Sequence, residues 1–181
     1  MANALLLLAE GFEETEAVTV IDVLRRAGIA VTVAALHASP VRGSHDIALV
    51  ADTTLTDVQE QSFDALVLPG GMPGAKHLRE DPRVLELVRR FVAAEKLTAA
   101  VCAGPTVLEA AGVLRGRRAT SYPGHALPSA LYQEAAVVED GPIVTSRGVG
   151  TSLEFALALV ARLADTATAE LHRARLLAPP A

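Results

Sequence analysis

The sequence predicts an α/β fold with a mainly parallel sheet, and three observations carry that reading. Short apolar runs alternate with segments of helical periodicity, the pattern of β-α-β units. The first run, Ala4–Leu8 (ALLLL), is apolar throughout, as a buried strand is. Turn-forming residues follow two later runs at once: Pro69-Gly70-Gly71 after Asp64–Leu68, and Cys102-Ala103-Gly104-Pro105 after Leu97–Val101.

The elements can be placed in order. Glu13–Ala27 is a helix whose Val18, Ile21 and Leu24 recur at helical spacing, closed by Gly28, which takes positive φ without steric cost. Ile29–Ala35 alternates as a second strand. Val41–Leu55 departs from the pattern: Gly43-Ser44 and Asp52 flank Ile47–Val50, which suggests a small hairpin or edge strands. Asp64–Leu68 (DALVL) is a central strand, Val84–Ala94 a helix with a basic exposed face, and Leu97–Val101 the next strand. A short helix follows Cys102 and ends near Ala111. Arg118–Ser121 reads as a strand and Tyr122–His125 as a loop. Ala136–Glu139 and Ile143–Thr145 flank an Asp140-Gly141-Pro142 turn. Thr151–Leu163 is the last long helix, and the tail ending Ala178-Pro179-Pro180-Ala181 is expected to be loose.

With 181 residues the chain fits one domain, 1–181, large enough for a substantial core. It is 51% hydrophobic but only 3% aromatic, without Trp, so Ala, Val and Leu must fill that core. A formal charge of -5, with no basic stripe and no aromatic platform, argues against nucleic acid as a partner. The Ala4–Ala9 run is too short to span a membrane and lacks the basic start of a leader, so no membrane partner is expected. A single cysteine makes no internal disulfide, which suits a reducing cytoplasm. His37, His45, His77, His125 and His172 are scattered, so no metal site is expected.

Ligands of open parallel sheets gather beyond the carboxyl ends of the strands. Three features fall there: Glu10–Glu16, Pro69–Gly74 and Cys102–Pro105. Small Ala103 and Gly104 permit a sharp turn, and Pro105 suits a first helical turn. Cys102 would then lie over a helix N-terminus, which stabilises a thiolate. On local sequence alone, a reactive and a buried structural thiol fit equally. The N–H groups of Gly71 and Ala103 can form an oxyanion hole beside the sulfur, although Pro-Gly-Gly also makes ordinary turns. Glu13, Glu14 and Glu16 crowd the first turn of a helix, where two of them suit solvent and the helix dipole. Glu16, among Ala17, Val18, Val20 and Ile21, points inward, where burial keeps a carboxyl protonated and able to donate a hydrogen bond or move a proton.

The blocks Glu10–Glu16, Arg25–Gly28, Leu68–Gly71, Cys102–Pro105 and Thr145–Thr151 stand in register over Ala4 to Leu163. Together they resemble the ThiJ/PfpI superfamily, in the branch of the Parkinsonism-associated protein DJ-one and bacterial YajL. The resemblance implies a flavodoxin-like three-layer sandwich and a homodimer with Arg25 and Arg26 near its interface. It implies Cys102 as the nucleophile, Glu16 as the protonated carboxyl touching the sulfur, and Gly71 and Ala103 as backbone donors. It also implies cysteine-dependent handling of small dicarbonyls, as a glutathione-independent glyoxalase making lactate from methylglyoxal or as a deglycase, with no cofactor. The alternative is a non-catalytic redox sensor or chaperone that uses oxidation of Cys102.

One departure matters. Tyr122 stands where the resembled human protein has a His proposed for glyoxalase catalysis, and YajL-like proteins also carry an aromatic there. His125, three residues on, is an auxiliary candidate if its loop folds back; otherwise it is a solvated histidine. His45 replaces an Arg of the human pattern. Peptidase and amidotransferase branches are set aside: Ala103 stands where PfpI-type peptidases have His, and the chain has neither G-x-C-x-G nor H-x-E.

Overall fold

The computed structural model describes residues 1–58 and 63–180. In chain order these form β1 (Asn3–Leu8), α1 (Glu14–Arg26), β2 (Ala30–Ala35), β3 (Val41–Arg42), β4 (Ala48–Leu49), β5 (Thr53–Thr54) and β6 (Ala65–Leu68). Then come α2 (Gly74–Glu80), α3 (Pro82–Ala93), β7 (Leu97–Val101), α4 (Pro105–Ala110), β8 (Arg118–Ala119) and β9 (Leu131–Tyr132). The chain ends with β10 (Val137–Asp140), β11 (Ile143–Ser146), α5 (Ser152–Leu163) and α6 (Thr166–Arg175).

The apolar run in β1 determines the layering. Successive strand side chains point to opposite faces, so an unbroken apolar strand must be covered twice. Leu6 and Leu8 pack with Val20 and Leu24 of α1 and Phe155 and Val160 of α5. Leu5 and Leu7 face the other way, into Val84, Val88 and Phe91 of α3 and Val107 and Leu108 of α4. All four leucines are fully buried, and truncating one to Ala would cost about 2–5 kcal/mol. The result is a three-layer sandwich around a sheet ordered β10-β11-β7-β6-β1-β2-β5. Its neighbours run parallel except for the antiparallel β10–β11 edge pair. The carboxyl ends of β1, β6 and β7, central neighbours in this order, therefore open onto one edge.

The segment between β2 and β6 resolves into both expected forms. β3 and β4 make a small antiparallel hairpin, and β5 adds an edge strand beside β2. Two helices and one strand carried too weak a pattern to be read. α2 is seven residues long with a glycine start, and α6 buries only Ala169 and His172. β9 is two residues long and pairs with β8 outside the main sheet, so the expected Arg118–Ser121 strand is short and peripheral. The tail is not loose as far as Pro179. Ala178 N donates to Arg173 O at 3.0 Å, and the Arg173 guanidinium donates to Pro179 O at 2.9 Å. Ala181 lies outside the described residues.

The hairpin is clamped to the start of α1 by Glu14. This carboxylate is only 4% exposed, correcting the expectation that it and Glu13 are solvated; Glu13 is also buried. Glu14 accepts from His45 N at 2.6 Å and Ile47 N at 3.4 Å, and its other oxygen faces His45 Nδ1 at 3.0 Å. Ser44 N adds a bond to Phe12 O at 2.8 Å. Burial opposes the charge on Glu14, but the donors of the loop win and hold its pKa below the usual value of 4.5. The Glu14 carboxylate in turn raises that of exposed His45 above 6.5.

Truncating Glu14 leaves the His45 and Ile47 N–H groups unpaired, and Glu14→Ala should lose about 1–3 kcal/mol in urea unfolding. The depressed Glu14 value gives stability that is present above 4.5 and lost as pH falls through its lower native value. The raised His45 value gives stability that is full below 6.5 and lost as pH rises through its native value. The melting-temperature gap between wild type and His45→Ala should therefore narrow on alkalinisation. A gap that widens would contradict the ion pair.

Candidate active site

Three loops meet at the carboxyl edge of the sheet. β7 delivers Cys102 with φ of 62°, a left-handed conformation that costs a non-glycine residue of order 1–3 kcal/mol. The elbow is held from several sides. Cys102 N donates to Ser146 O at 3.0 Å, Tyr122 N donates to Cys102 O at 2.9 Å, and Gly104 N donates to Val101 O at 2.8 Å. A strained turn over-determined in this way presents its side chain at a fixed angle.

β1 delivers Glu16 through the turn into α1. Glu13 caps the helix, its Oε2 accepting from Glu16 N at 2.6 Å. Glu13 N donates to Gly70 O at 3.0 Å, and Gly70 N donates to Glu16 Oε2 at 2.8 Å. These two bonds lock the α1 turn to the loop after β6. A glycine is needed at 70 because of crowding. A methyl group there would lie 2.6 Å from Cys102 Cβ, 2.7 Å from Glu16 Oε2 and 2.9 Å from Ala103 N. Gly71 adopts φ of +86°, which an L side chain rarely takes.

Glu16 is fully buried. Burial drives its pKa up to about 7; the Gly70 N–H and the Cys102 thiol oppose the rise, and the Glu13 charge adds to it. Its Oε1 is buried without a hydrogen-bond partner. The thiol corrects a sequence expectation. Rather than being lowered by a helix N-terminus, Cys102 is pushed up to about 12 by burial, and then by the charge and hydrogen bonding of Glu16. The N–H groups of Gly71 and Ala103 pull the other way. The physical reason is that α4 is only six residues long and its dipole is small, whereas the half-buried sulfur lies beside a second acid. The two groups therefore titrate as a pair.

Glu16, Gly71 and Ala103 converge on Cys102. Tyr122 borders it through its main chain, and the residue is 51% exposed. His125 is tied into its own loop through its main chain. Its N donates to Tyr122 O at 3.0 Å and its O accepts from Ser121 Oγ at 2.7 Å, and its ring makes no hydrogen bond to Cys102 among the described residues. Gly70 as the donor to Glu16, Glu13 as its cap and Ser146 as the elbow's anchor were not read from sequence. Their roles rest on main-chain geometry, which residue type does not signal. Glu13, Glu14 and His45 bring potential metal-ligand atoms within 4.8 Å of one another, but both Glu14 oxygens already serve the loop.

Known proteins bear on this geometry. The pattern of the DJ-1/PfpI family matches residues 2–162. The Parkinson disease protein 7 homolog of Danio rerio is 44% identical over 97% of this chain and 96% of its own. The glutathione-independent glyoxalase DJR-1.2 of Caenorhabditis elegans is 38% identical over 89% of this chain and 88% of its own. The crystal structure of Drosophila melanogaster DJ-1beta superposes with a TM-score of 0.95 at 41% identity, covering 99% of both chains. With its sandwich, its cysteine elbow and this likeness over nearly its full length, the chain belongs to the DJ-1/PfpI family.

Proposed function

We propose that the whole chain acts as one cysteine-dependent, cofactor-free enzyme of small α-oxoaldehydes, a glyoxalase that turns methylglyoxal into lactate in the cytoplasm. The observation that carries this reading is Glu16, a fully buried carboxyl set beside the only cysteine with its pKa raised to about 7. The glyoxalase named in the nematode relative supports it.

The chemistry follows from a single shared proton. When the pair holds one proton, it can lie on Glu16, where the acid has one N–H donor from Gly70, and leave the charge on sulfur, where Gly71 and Ala103 supply two. The thiolate attacks the aldehyde carbon; a C–S bond forms and the carbonyl electron pair moves to oxygen. The Gly71 and Ala103 N–H groups steady that oxyanion until Glu16 protonates it. Glu16, now ionised, takes the former aldehyde hydrogen as a proton, giving an enediolate; the hydroxyl proton passes from the first oxygen to the neighbouring one, and Glu16 returns its proton to the neighbouring carbon. The product is a lactoyl thioester, which water cleaves to lactate and free Cys102. Deglycation of methylglyoxal adducts would share the first covalent step.

A second reading is favoured by one specific observation, the buried Glu16 Oε1 without a hydrogen-bond partner. Protonated there, Glu16 would donate to a sulfinate oxygen and arrest oxidation at that stage, as in a redox sensor. The proposal extends to a homodimer. Exposed Val18 and Val50 line a hollow of about 290 Å³ with Ile21 and Leu49, bordered by Asp22, Arg25 and Asp52, a face suited to a second copy.

Purified protein should form lactate from methylglyoxal, and Cys102→Ala should form none above background. The rate kcat/KM should rise with pH through an apparent value near 7, belonging to the Cys102–Glu16 pair, and Glu16→Gln should remove that limb. The ultraviolet absorbance of the thiolate checks where the proton sits. It should grow in along the same limb; absorbance that appears only toward pH 12 would leave the proton on sulfur and sink the mechanism. Mild peroxide followed by mass spectrometry tests the sensor. A two-oxygen adduct on Cys102 is expected, lost in favour of three oxygens in Glu16→Ala, whereas an unmodified Cys102 would dismiss that reading.

A further inference from the structure

Aromatic side chains are scarce in this chain, and they divide sharply by position. All four phenylalanines, Phe12, Phe63, Phe91 and Phe155, are buried. Both tyrosines are about half exposed, Tyr122 at 51% and Tyr132 at 47%. These two line the same hollow, with His125, Leu127 and Pro128, and its volume of about 470 Å³ is on the scale of small-molecule sites. Among the described residues, no Asp, Glu, Lys or Arg lines it.

The hollow is built in advance. Tyr132 lies on β9, which pairs with β8, and its hydroxyl donates to Ser121 O at 3.3 Å. The Tyr122 and His125 rings stand 6.1 Å apart at 58°, held by the main-chain bond between those residues. Its Tyr122 wall also comes near the reactive sulfur. A methyl group at Gly148 would lie 3.3 Å from Tyr122 Cδ2 and 4.0 Å from Cys102 Sγ. The tyrosine edge and the sulfur thus both lie close to one bare stretch of backbone, and the same ring lines the hollow.

We propose that this hollow is a substrate subsite, and that it takes the side arm of an α-oxoaldehyde whose carbonyl carbon bonds to Cys102, selecting aryl arms over methyl. The inference rests on the reactive thiol of the preceding reading. A methyl arm offers little apolar area to this lining, whereas a phenyl group can lie against Tyr122 and its neighbours without desolvating any full charge of the lining. Tyr122 and Tyr132 then act as specificity determinants, with no part in proton transfer.

Phenylglyoxal and methylglyoxal are the substrates with which to test it. Wild type should show the larger kcat/KM for phenylglyoxal, and the phenylglyoxal-to-methylglyoxal ratio should fall about tenfold in Tyr132→Ala, with Tyr132→Phe restoring it. Tyr122→Ala should lower the ratio in the same direction, which covers the case of a poorly folded Tyr132→Ala. A second readout needs no turnover: alkylation of Cys102 by iodoacetamide and by N-benzyl-iodoacetamide, in which the S–C bond forms, iodide leaves and the thiol proton goes to buffer. The benzyl reagent should react faster than its chemistry with free cysteine predicts, and that excess should vanish in Tyr132→Ala. Retention of the alkylation preference without any turnover would uphold the subsite while removing the glyoxalase reading. Turnover with a ratio indifferent to both tyrosines would do the reverse. A shift of oligomeric state in Tyr132→Ala would assign the hollow to contact between copies and overturn the proposal.

Discussion

A carboxyl that cannot be hydrated stands at the centre of this molecule. Glu16 is fully enclosed, one oxygen bonded to Gly70 N–H and the other without a hydrogen-bond partner. Desolvation of this group is what makes a proton available near neutral pH, and it needs three strand ends to converge. β1 brings the acid, β6 the main-chain donor and β7 the thiol. Their parallel order puts all three at one edge, and the crowding at Gly70 leaves no room for a side chain between them. The positive φ of Cys102 is the local cost of pointing the sulfur into that junction.

What lies behind this junction is equally specific. Glu16 belongs to the first turn of a helix, where ends fray unless anchored. Two carboxylates supply the anchor in different ways. Glu13 turns inward and caps the helix at Glu16 N, while Glu14 turns outward and gathers the 44–47 loop. Three acids within four residues thus serve as cap, clamp and reactive group, distinguished only by which donors surround each one. The clamp explains why a hairpin interrupts the β-α-β pattern between β2 and β6: it covers the turn that carries the acid.

Sequence carried most of this architecture because most of it rests on periodicity. β1, β7, α1 and α5 are long and strongly patterned, and their boundaries fall within a residue or two of expectation. α2, α6 and β9 escaped because each is short or shows little apolar face, so tertiary contacts rather than local pattern hold them. At the site, Cys102, Glu16, Gly71 and Ala103 were legible as residue types at strand ends. The sign of the thiol's shift was not. A helix N-terminus is visible in sequence, but the depth of burial and the closeness of a second acid depend on how β1 and β7 pack. Solvation was likewise misjudged for Glu13 and Glu14, since their partners come from residues 16 and 44–47 and leave no trace in the local pattern.

The proposed chemistry has one further constraint, and it comes from Tyr122. With an exposed phenol there and no hydrogen bond from the His125 ring to Cys102 among the described residues, the proposed proton transfers at carbon are assigned to Glu16. An isomerisation within one substrate asks the same group to accept a proton from one carbon and return it to the next. The group best able to do both has a pKa near the working pH, where neither direction is steeply uphill. An ordinary glutamate, near 4.5, is a poor donor; burial moves this one to about 7. The desolvation that holds the thiol up is therefore the same influence that lets a single carboxyl serve as acid and base, and the replacement of a histidine by Tyr122 is tolerable in chemical terms because of it.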